Sequence, residues 1–257
     1  AVIAASSPAG LEAAITAASR GHRVKGFEKN RWAGGQFRIG AVPPGKGEMI
    51  NYINWQLNEL EKLNVPVLME TEVTPELVKK EKPDVIFAAT GAEPIIPNIP
   101  GADRPNVVTA HDVLSGKVNT GNSVVVVGGG CVGAETANQL ANYLKGVTII
   151  EMLDAIAGDE IVVPRWDLLE DLDRNKVRIC TKTTVDKITD AGVKVSGAVD
   201  EVIPCDTVVL AVGAKPVLAL ADALKKEGYD VRVIGDASKV GLGGEAIMEG
   251  FEVGRTI

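Results

Sequence analysis

The sequence predicts an α/β protein in which two parallel sheets with flanking helices are built, one after the other, from a duplicated pattern. Three observations carry this expectation. Apolar strands alternate with helical stretches along the 257 residues, the order that gives parallel sheets joined by crossover helices. A strand–glycine turn–helix–strand–acid pattern occurs twice, with Gly10 and Gly133 about 123 residues apart. Glycines number 28 while aromatics are only 4%, a mix suited to backbone that approaches a ligand closely.

Composition removes several function classes. The net charge of −7, from 34 acidic and 27 basic groups, argues against nucleic acid as a partner. The longest apolar runs, such as Val124–Val127 and Val208–Val212, fall far short of the ~20 residues that span a bilayer, so no membrane partner is expected. No secretory signal opens the chain, and a cytoplasmic location is expected. Cys131, Cys180 and Cys205 form no CxxC pair, which leaves no disulfide framework, zinc site or redox dithiol. His22 and His111 are too few for a histidine metal cluster, and no metal is expected. Ala1-Val2-Ile3-Ala4 already reads as a strand and has no Met before it. The chain is therefore expected to be a piece of a longer protein, or an engineered half.

The elements follow in order. Ala1–Ala5 reads as a buried strand, and Pro8–Arg20 as a helix with Leu11, Ala14, Ile15 and Ala18 on one face. Gly21 follows as a left-handed C-cap. Arg23–Glu28 is a strand, and the glycine- and proline-rich segment 34–45 a loop. Glu48–Leu63 is an amphipathic helix, Val65–Met69 a strand, Pro75–Lys80 a short helix capped by Thr74, and Asp84–Thr90 a buried strand. Pro94, Pro97, Pro100 and Pro105 mark an extended linker and a domain boundary. The pattern then restarts with strand Ser123–Val127, helix Cys131–Leu144, strand Val147–Glu151 and helix Val163–Asn175. Short strands at Val177–Cys180, Val185–Ile188, Val193–Ser196 and Glu201–Pro204 lead to a buried strand, Thr207–Val212. Helix Val217–Lys225, strand Val231–Ile234 and helix Gly244–Ile257 close the chain. The expected division is a discontinuous first domain, 1–105 with 215–257, and an inserted domain, 106–214.

The second turn carries the clearest chemistry. Gly128-Gly129-Gly130-Cys131-Val132-Gly133 fits GxGxxG between an apolar strand and a helix. Gly128 permits the tight turn, Gly130 lets a pyrophosphate approach the backbone, and Gly133 lets the helix pack on the strand. The unpaired N–H groups of a helix N-terminus then face the phosphates. Glu151 lies eighteen residues past Gly133 at the end of the next strand. Its carboxylate suits the ribose hydroxyls of NADH and repels a 2′-phosphate. The null alternative is a glycine-rich turn with no ligand. The first turn, Ala5-Ser6-Ser7-Pro8-Ala9-Gly10, keeps only Gly10 of the three glycines, while Glu28 again lies eighteen residues further on. Ala5 strains any turn that needs φ > 0. Ser7 puts a hydroxyl where a phosphate approaches, to clash with it or to donate to it. The twin units define two Rossmann-like dinucleotide-binding domains.

The runs PAGLEAA, FEKNRWAGGQF, VPPGK, TPELV, KPDVIFAATGAEPIIPNIPG, VVTAHDVLSGK, VVVVGGGCVGAETA, VTIIEML, DTVVLAVGAKP, VIGDA and EAIMEGFEVGR together resemble one family. They are similar to the C-terminal FAD/NAD(P)H-binding half of the NADH:flavin oxidoreductases related to 2,4-dienoyl-CoA reductase and trimethylamine dehydrogenase. The resemblance implies a pyridine-nucleotide-disulfide-oxidoreductase-like fold without the CxxC. It implies FAD and NAD(H) as cofactors, with FMN and a 4Fe–4S cluster only in a missing N-terminal TIM-barrel half. It places Ala5, Ser7 and Gly10 on the FAD pyrophosphate turn and Glu28 on the FAD ribose. It places Gly34, Gly35 and Gln36 on a loop passing the FAD, and Thr90 and Gly91 where the chain passes between domains; these two, with Gly213 at the end of a second buried strand, are counted among the expected cofactor-binding residues. Gly235 and Asp236 fall near the flavin ribityl or phosphate, and Glu135 near the nicotinamide.

The expected function is that of an NADH-oxidising flavoprotein module, an oxidoreductase that passes hydride from NADH to FAD. Its further partner is the missing barrel half or another electron acceptor. No Ser/His/Asp or paired-carboxylate constellation is present, and no catalytic side chain is assigned. The alternative is a non-catalytic adenine-nucleotide-binding or structural domain with a degenerate FAD site. Cys131 sits where a helix N-terminus stabilises a thiolate, but a small packing role suits its variable slot better. Cys180 and Cys205 read as core, His22 as exposed, and Trp32 as packed within its loop.

Overall fold

Val2–Ala4 (β1) is apolar at every position and buried on both faces, as the centre of a helix-covered parallel sheet requires. The computed structural model describes residues 1–257. After β1 come α1 (Pro8–Ser19), β2 (Lys25–Phe27), α2 (Gly35–Gly40), α3 (Glu48–Lys62), β3 (Val67–Leu68), α4 (Pro75–Glu81), β4 (Ile86–Ala88) and β5 (Ala92–Pro94). Next are β6 (Val107–Thr109), α5 (Ala110–Leu114), β7 (Ser123–Val127), α6 (Cys131–Asn142), β8 (Gly146–Ile150) and α7 (Val162–Arg174). Strands β9 (Arg178–Cys180), β10 (Thr183–Thr189), β11 (Gly192–Gly197), β12 (Glu201–Ile203) and β13 (Thr207–Leu210) follow. The chain ends through β14 (Ala214–Pro216), α8 (Ala219–Lys226), β15 (Val231–Val233), a 3₁₀ turn at Gly235–Ala237, and α9 (Gly243–Arg255).

The chain divides into two compact units. The first is Ala1–Ala41, Gly47–Glu93 and Ala214–Ile257; the second is Val42–Lys46 and Pro94–Gly213. The proline-punctuated residues 94–105, expected to close the first domain, group with the second unit, as does the short segment 42–46.

In the first unit the strands run in the order β15-β4-β1-β2-β3, all parallel. In the second, β6-β13-β7-β8-β9 repeats the inner four-strand order, again all parallel, but its edge strand β6 comes from the start of the unit where β15 comes from the end. In both sheets the strand that leads into the glycine turn is central, which puts the turn at the crevice where strand order reverses. Strands β10–β12 form a separate antiparallel sheet in the second unit. No helix is long and apolar enough to cross a membrane.

Two short segments depart from the sequence reading. Residues 35–40, expected as loop, form α2, which starts from Gly34 in the left-handed region at φ 112°. Residues 107–114 form β6 and α5, the latter capped by Thr109, whose hydroxyl accepts from Asp112 N–H at 3.1 Å. The first core packs α1 against α3 through Leu11, Ala14, Ile53 and Leu60, each buried. Leu11, Ile53 and Leu60 are each worth about 1.5–3 kcal/mol relative to exposure. The last helix, α9, lies on α1 so closely that a Cβ on Gly250 would run into the Ala9 carbonyl oxygen. One on Gly254 would lie 2.8 Å from that of Ala13.

Candidate functional site

Where β7 ends, Gly128 turns the chain at φ 97°, and a Cβ there would strike the Ala211 carbonyl. A Cβ on Gly133, one turn into α6, would strike the Gly128 carbonyl, so the helix packs directly on the turn. Gly130 is the N-cap of α6 in ordinary extended conformation, φ −64° and ψ −178°. A Cβ on Gly130 would find only the Asp159 carboxylate, at 3.5–3.9 Å. That residue therefore needs no glycine for the protein's own packing. Glu151 is 8% exposed. Its Oε2 accepts from Gly129 N–H at 2.6 Å and its Oε1 from Leu153 N–H at 2.8 Å.

The first turn repeats this plan with different residues. Ala5 stands at φ 76°. Glu28, 3% exposed, accepts through Oε2 from Ser6 N–H at 2.8 Å and through Oε1 from Asn30 N–H at 2.9 Å. Ser7 caps α1, and its Oγ accepts a long 3.4 Å bond from Gly10 N–H. A Cβ on Gly10 would strike the Ala5 carbonyl, as one on Gly133 would strike Gly128. Gly34 N–H donates to Ser6 O at 2.8 Å, and a Cβ on Gly35 would lie 3.6 Å from that of Ser7. Gly235, at φ 64°, faces Ala9 in the first turn of α1 and donates its N–H to Glu249 Oε2 at 2.6 Å.

The structure thus gathers Ala5, Ser7, Gly10, Gly34, Gly35 and Gly235 around the N-terminus of α1, with Glu28 holding the turn from below. Gln36 follows within α2, half-buried. Asp236 caps the next turn, accepting from Gly241 N–H at 3.3 Å. Thr90 and Gly91 follow Ala89, which a Cβ on Gly10 would meet at 3.0 Å. Thr90 Oγ1 donates to Val217 O at 2.6 Å, and Val217 N–H donates to Gly91 O at 2.9 Å, which zips β5 beside β14. Gly213, at φ 97°, accepts from Ile95 N–H at 3.0 Å in the second unit.

Glu135 sits within a group of charges in the second unit that spacing did not reveal. Lys46 Nζ pairs with Glu135 and lies 3.6 Å from Glu160. The Sγ of Cys131 and carboxylate oxygens of Glu135 and Glu160 lie within 4.8 Å of one another, and the cation among them is the Lys46 ammonium. Burial draws the Lys46 pKa down, but the hydrogen bond and charge of Glu135, with Glu160, hold it above its ordinary value. Burial raises the Glu135 carboxyl despite Lys46. The Cys131 thiol is pushed well above its usual range by burial first, then by the hydrogen bond and charge of Asp159. The helix N-terminus therefore does not favour a Cys131 thiolate, because burial first and then the carboxylates of Asp159, Glu160 and Glu135 oppose it. Trp32 is not packed in its loop either. It is 58% exposed, with the guanidinium carbons of Arg31 and Arg38 at 5.2 and 5.7 Å from its ring. Cys180 is buried and Cys205 half-buried.

Both turns suit a dinucleotide on the structure's own terms. At α6 a carboxylate, that of Asp159, already accepts from the exposed Cys131 N–H at 2.9 Å, so the helix end takes an anion. At α1 the Ser6 Oγ is buried without a hydrogen-bond partner. Together with the twin sheets, this defines a protein with two dinucleotide-binding folds in tandem. The chain belongs to the pyridine nucleotide-disulphide oxidoreductase family, which it matches over residues 1–236. That family binds FAD and NAD(H), and the similarity is to the flavin-binding half of the NADH:flavin oxidoreductases.

The chain is 40% identical over 259 residues to an NADH oxidase of Thermoanaerobacter brockii, covering 98% of this chain and 40% of that protein. It is 35% identical over 253 residues to a cinnamate reductase of Clostridium sporogenes, covering 97% and 38%. The solved structure of a 2-naphthoyl-CoA reductase superposes on all of this chain and 39% of its own, with a TM-score of 0.96 and 33% identity. The chain spans about two fifths of the length of these relatives.

Proposed function

We propose that this chain is the NADH-oxidising module of a larger flavin oxidoreductase. The single observation that carries this reading is the repeated acid–turn contact, Glu28 with Ser6 and Glu151 with Gly129, at the head of two like-ordered sheets. On this reading the first unit holds FAD through Ala5, Ser7, Gly10, Glu28, Gly34, Gly35, Gln36, Gly235 and Asp236. The second holds NADH through Gly128, Gly130, Gly133, Glu135 and Glu151, while Thr90, Gly91 and Gly213 shape the crossings. Bound nicotinamide and flavin supply the hydride chemistry; the chain's part is to bind, orient and exclude water. α1 and α6 turn their N-terminal N–H groups toward phosphates, and Glu28 and Glu151 accept from ribose hydroxyls.

In the longer protein, electrons would leave FAD for an N-terminal half or another acceptor, where a substrate such as an unsaturated acyl compound is reduced. The reductase relatives support that substrate class for the whole protein. A cytoplasmic setting fits three cysteines that all remain free thiols. The rival reading, a nucleotide-binding domain without flavin, draws on Ala5 at φ 76° and on the Ser7 cap. The test is to titrate the apo-protein with FAD, then add NADH without oxygen. Saturable flavin binding followed by bleaching of its visible absorbance supports the module. A colourless protein that binds adenine nucleotides but no FAD overturns it.

A further inference from the structure

Residues 151–161 fold back over the second glycine turn as a strap. Ala157 N–H donates to Gly129 O at 2.7 Å, and Ile156 packs so tightly that a Cβ on Gly129 would lie 2.6 Å from its Cγ2. Ile156 and Ala157 are buried, so this anchor is fixed. The tip of the strap differs. Asp159 is exposed, and its only backbone attachment is Oδ1 on the Cys131 N–H at 2.9 Å. Its other oxygen lies on the open side of Gly130. Both the N–H and the space are what a pyrophosphate takes at such a helix N-terminus. Two anionic groups do not share one N–H, so the carboxylate and the phosphates exclude each other.

We infer that Asp159 is a built-in competitor for the pyrophosphate of NADH, seated on the α6 N-terminus when the site is free and displaced when dinucleotide binds. This rests on the assignment of NADH to the second unit. Its consequence is a lowered affinity: binding must first lift Asp159 off Cys131, and part of the attraction between helix and phosphate is spent in doing so. Ala157 keeps the strap on Gly129 and Glu160 stays beside Lys46, so only Gly158 and Asp159 move.

Inorganic pyrophosphate and NADH, titrated separately, test this on the native chain, Asp159→Asn and Asp159→Ala. Asp154→Asn serves as a control that removes the same charge from the same strap without touching Cys131. Both Asp159 variants should bind pyrophosphate and NADH about three- to tenfold more tightly, and Asp154→Asn less than twofold. Hydrogen exchange should rise at Gly158 and Asp159 when native protein binds NADH, a response that charge repulsion alone does not produce. Unchanged or weaker pyrophosphate binding by the Asp159 variants overturns the inference. So does an equal gain from Asp154→Asn, or an exchange rate at Gly158 and Asp159 that does not rise. Tighter pyrophosphate binding by the variants with no NADH binding by any protein keeps the competition for anions and refutes the NADH assignment instead.

Discussion

Ala5 and Gly128 hold the same left-handed backbone conformation, φ 76° and φ 97°, each one residue past the central strand of its sheet. The fold has kept the turn where the sequence has lost the glycine. Left-handed backbone costs an alanine about 1–2 kcal/mol, while replacing it with glycine loosens the unfolded chain by about 0.4–1 kcal/mol. Ala5→Gly should therefore stabilise by about 0.5–1 kcal/mol, raising Tm by roughly 2–4 °C. Gly128→Ala should destabilise by about 2 kcal/mol or more, because strain and collision with Ala211 add. Thermal and denaturant melts of both variants check the pair.

Flavin affinity should answer to Ser7 more than to Ala5. Ser7 has φ −71°, so glycine there would relieve no strain, but its hydroxyl occupies the Gly10 N–H that a phosphate would use. Ser7→Gly clears the approach and should tighten FAD binding about 10-fold or more, as a charge-assisted hydrogen bond worth ~1.5–3 kcal/mol is recovered. Ser7→Ala, which keeps the Cβ, should gain less. If FAD titration gives one Kd for all three proteins, the altered turn is harmless.

Nicotinamide preference should rest on Glu151, which also holds the turn through Gly129 and Leu153. Glu151→Ala would free both N–H groups and loosen the site. Glu151→Gln keeps an acceptor while removing the charge that repels a 2′-phosphate. Combined with Met152→Arg at a position 71% exposed, it should bring NADPH binding to within a few-fold of NADH, where the native protein favours NADH by about tenfold or more. Equal affinity of the native protein for both nucleotides would remove Glu151 from the ribose site.

Much of this architecture was legible because central strands and glycine turns leave strong local signals. Val124–Val127 is wholly apolar, Gly128–Gly133 has the right spacing, and Thr74 and Gly21 mark helix ends where the structure has them. The misses have physical reasons too. Strand β6 is three residues long and half-buried throughout, so it shows neither alternation nor a buried run. The short α2 begins at glycines with positive φ and reads as loop. Gln56 is fully buried on α3, donating to Pro8 O at 3.0 Å and to Glu12 at 3.1 Å; a polar residue on an apolar face gives no sign that a partner awaits it. Lys46 and Asp159 reach their sites through loops, and no spacing rule connects Lys46 to Glu135 or Asp159 to Cys131.

Cys131 should be a slow thiol. Burial and the charges of Asp159, Glu160 and Glu135 all raise its pKa, so at pH 7–8 little thiolate forms. Labelling by a disulfide reagent should run about 10-fold or more slower than an unhindered thiol with an ordinary pKa near 8.5. Asp159→Asn should speed it at constant pH. Rapid labelling of Cys131 in the native protein would show that the helix dipole outweighs the carboxylates.

Lys46→Met should destabilise the second unit in a pH-dependent way. Lys46 is the cation that compensates Glu135, whose carboxyl is already raised by burial and by neighbouring Glu160 and Asp159. Without it, the folded-state pKa of Glu135 rises further above its unfolded value. A group of that kind costs the fold when ionised, at pH above its folded pKa, and the cost vanishes as falling pH protonates it. Lys46 contributes with the opposite sign: its raised pKa stabilises at all pH values below its unfolded pKa, and that stabilisation is lost only as pH rises through the folded value. The variant should therefore lose about 1–3 kcal/mol at pH 8, less than the ~3–5 kcal/mol of a fully buried pair because the Lys46 side chain is 33% exposed, and recover much of it near pH 5. Urea midpoints of native and variant protein at the two pH values measure this. A deficit that is the same at pH 5 and pH 8 would mean that the Lys46 stem, through packing, matters more than its charge.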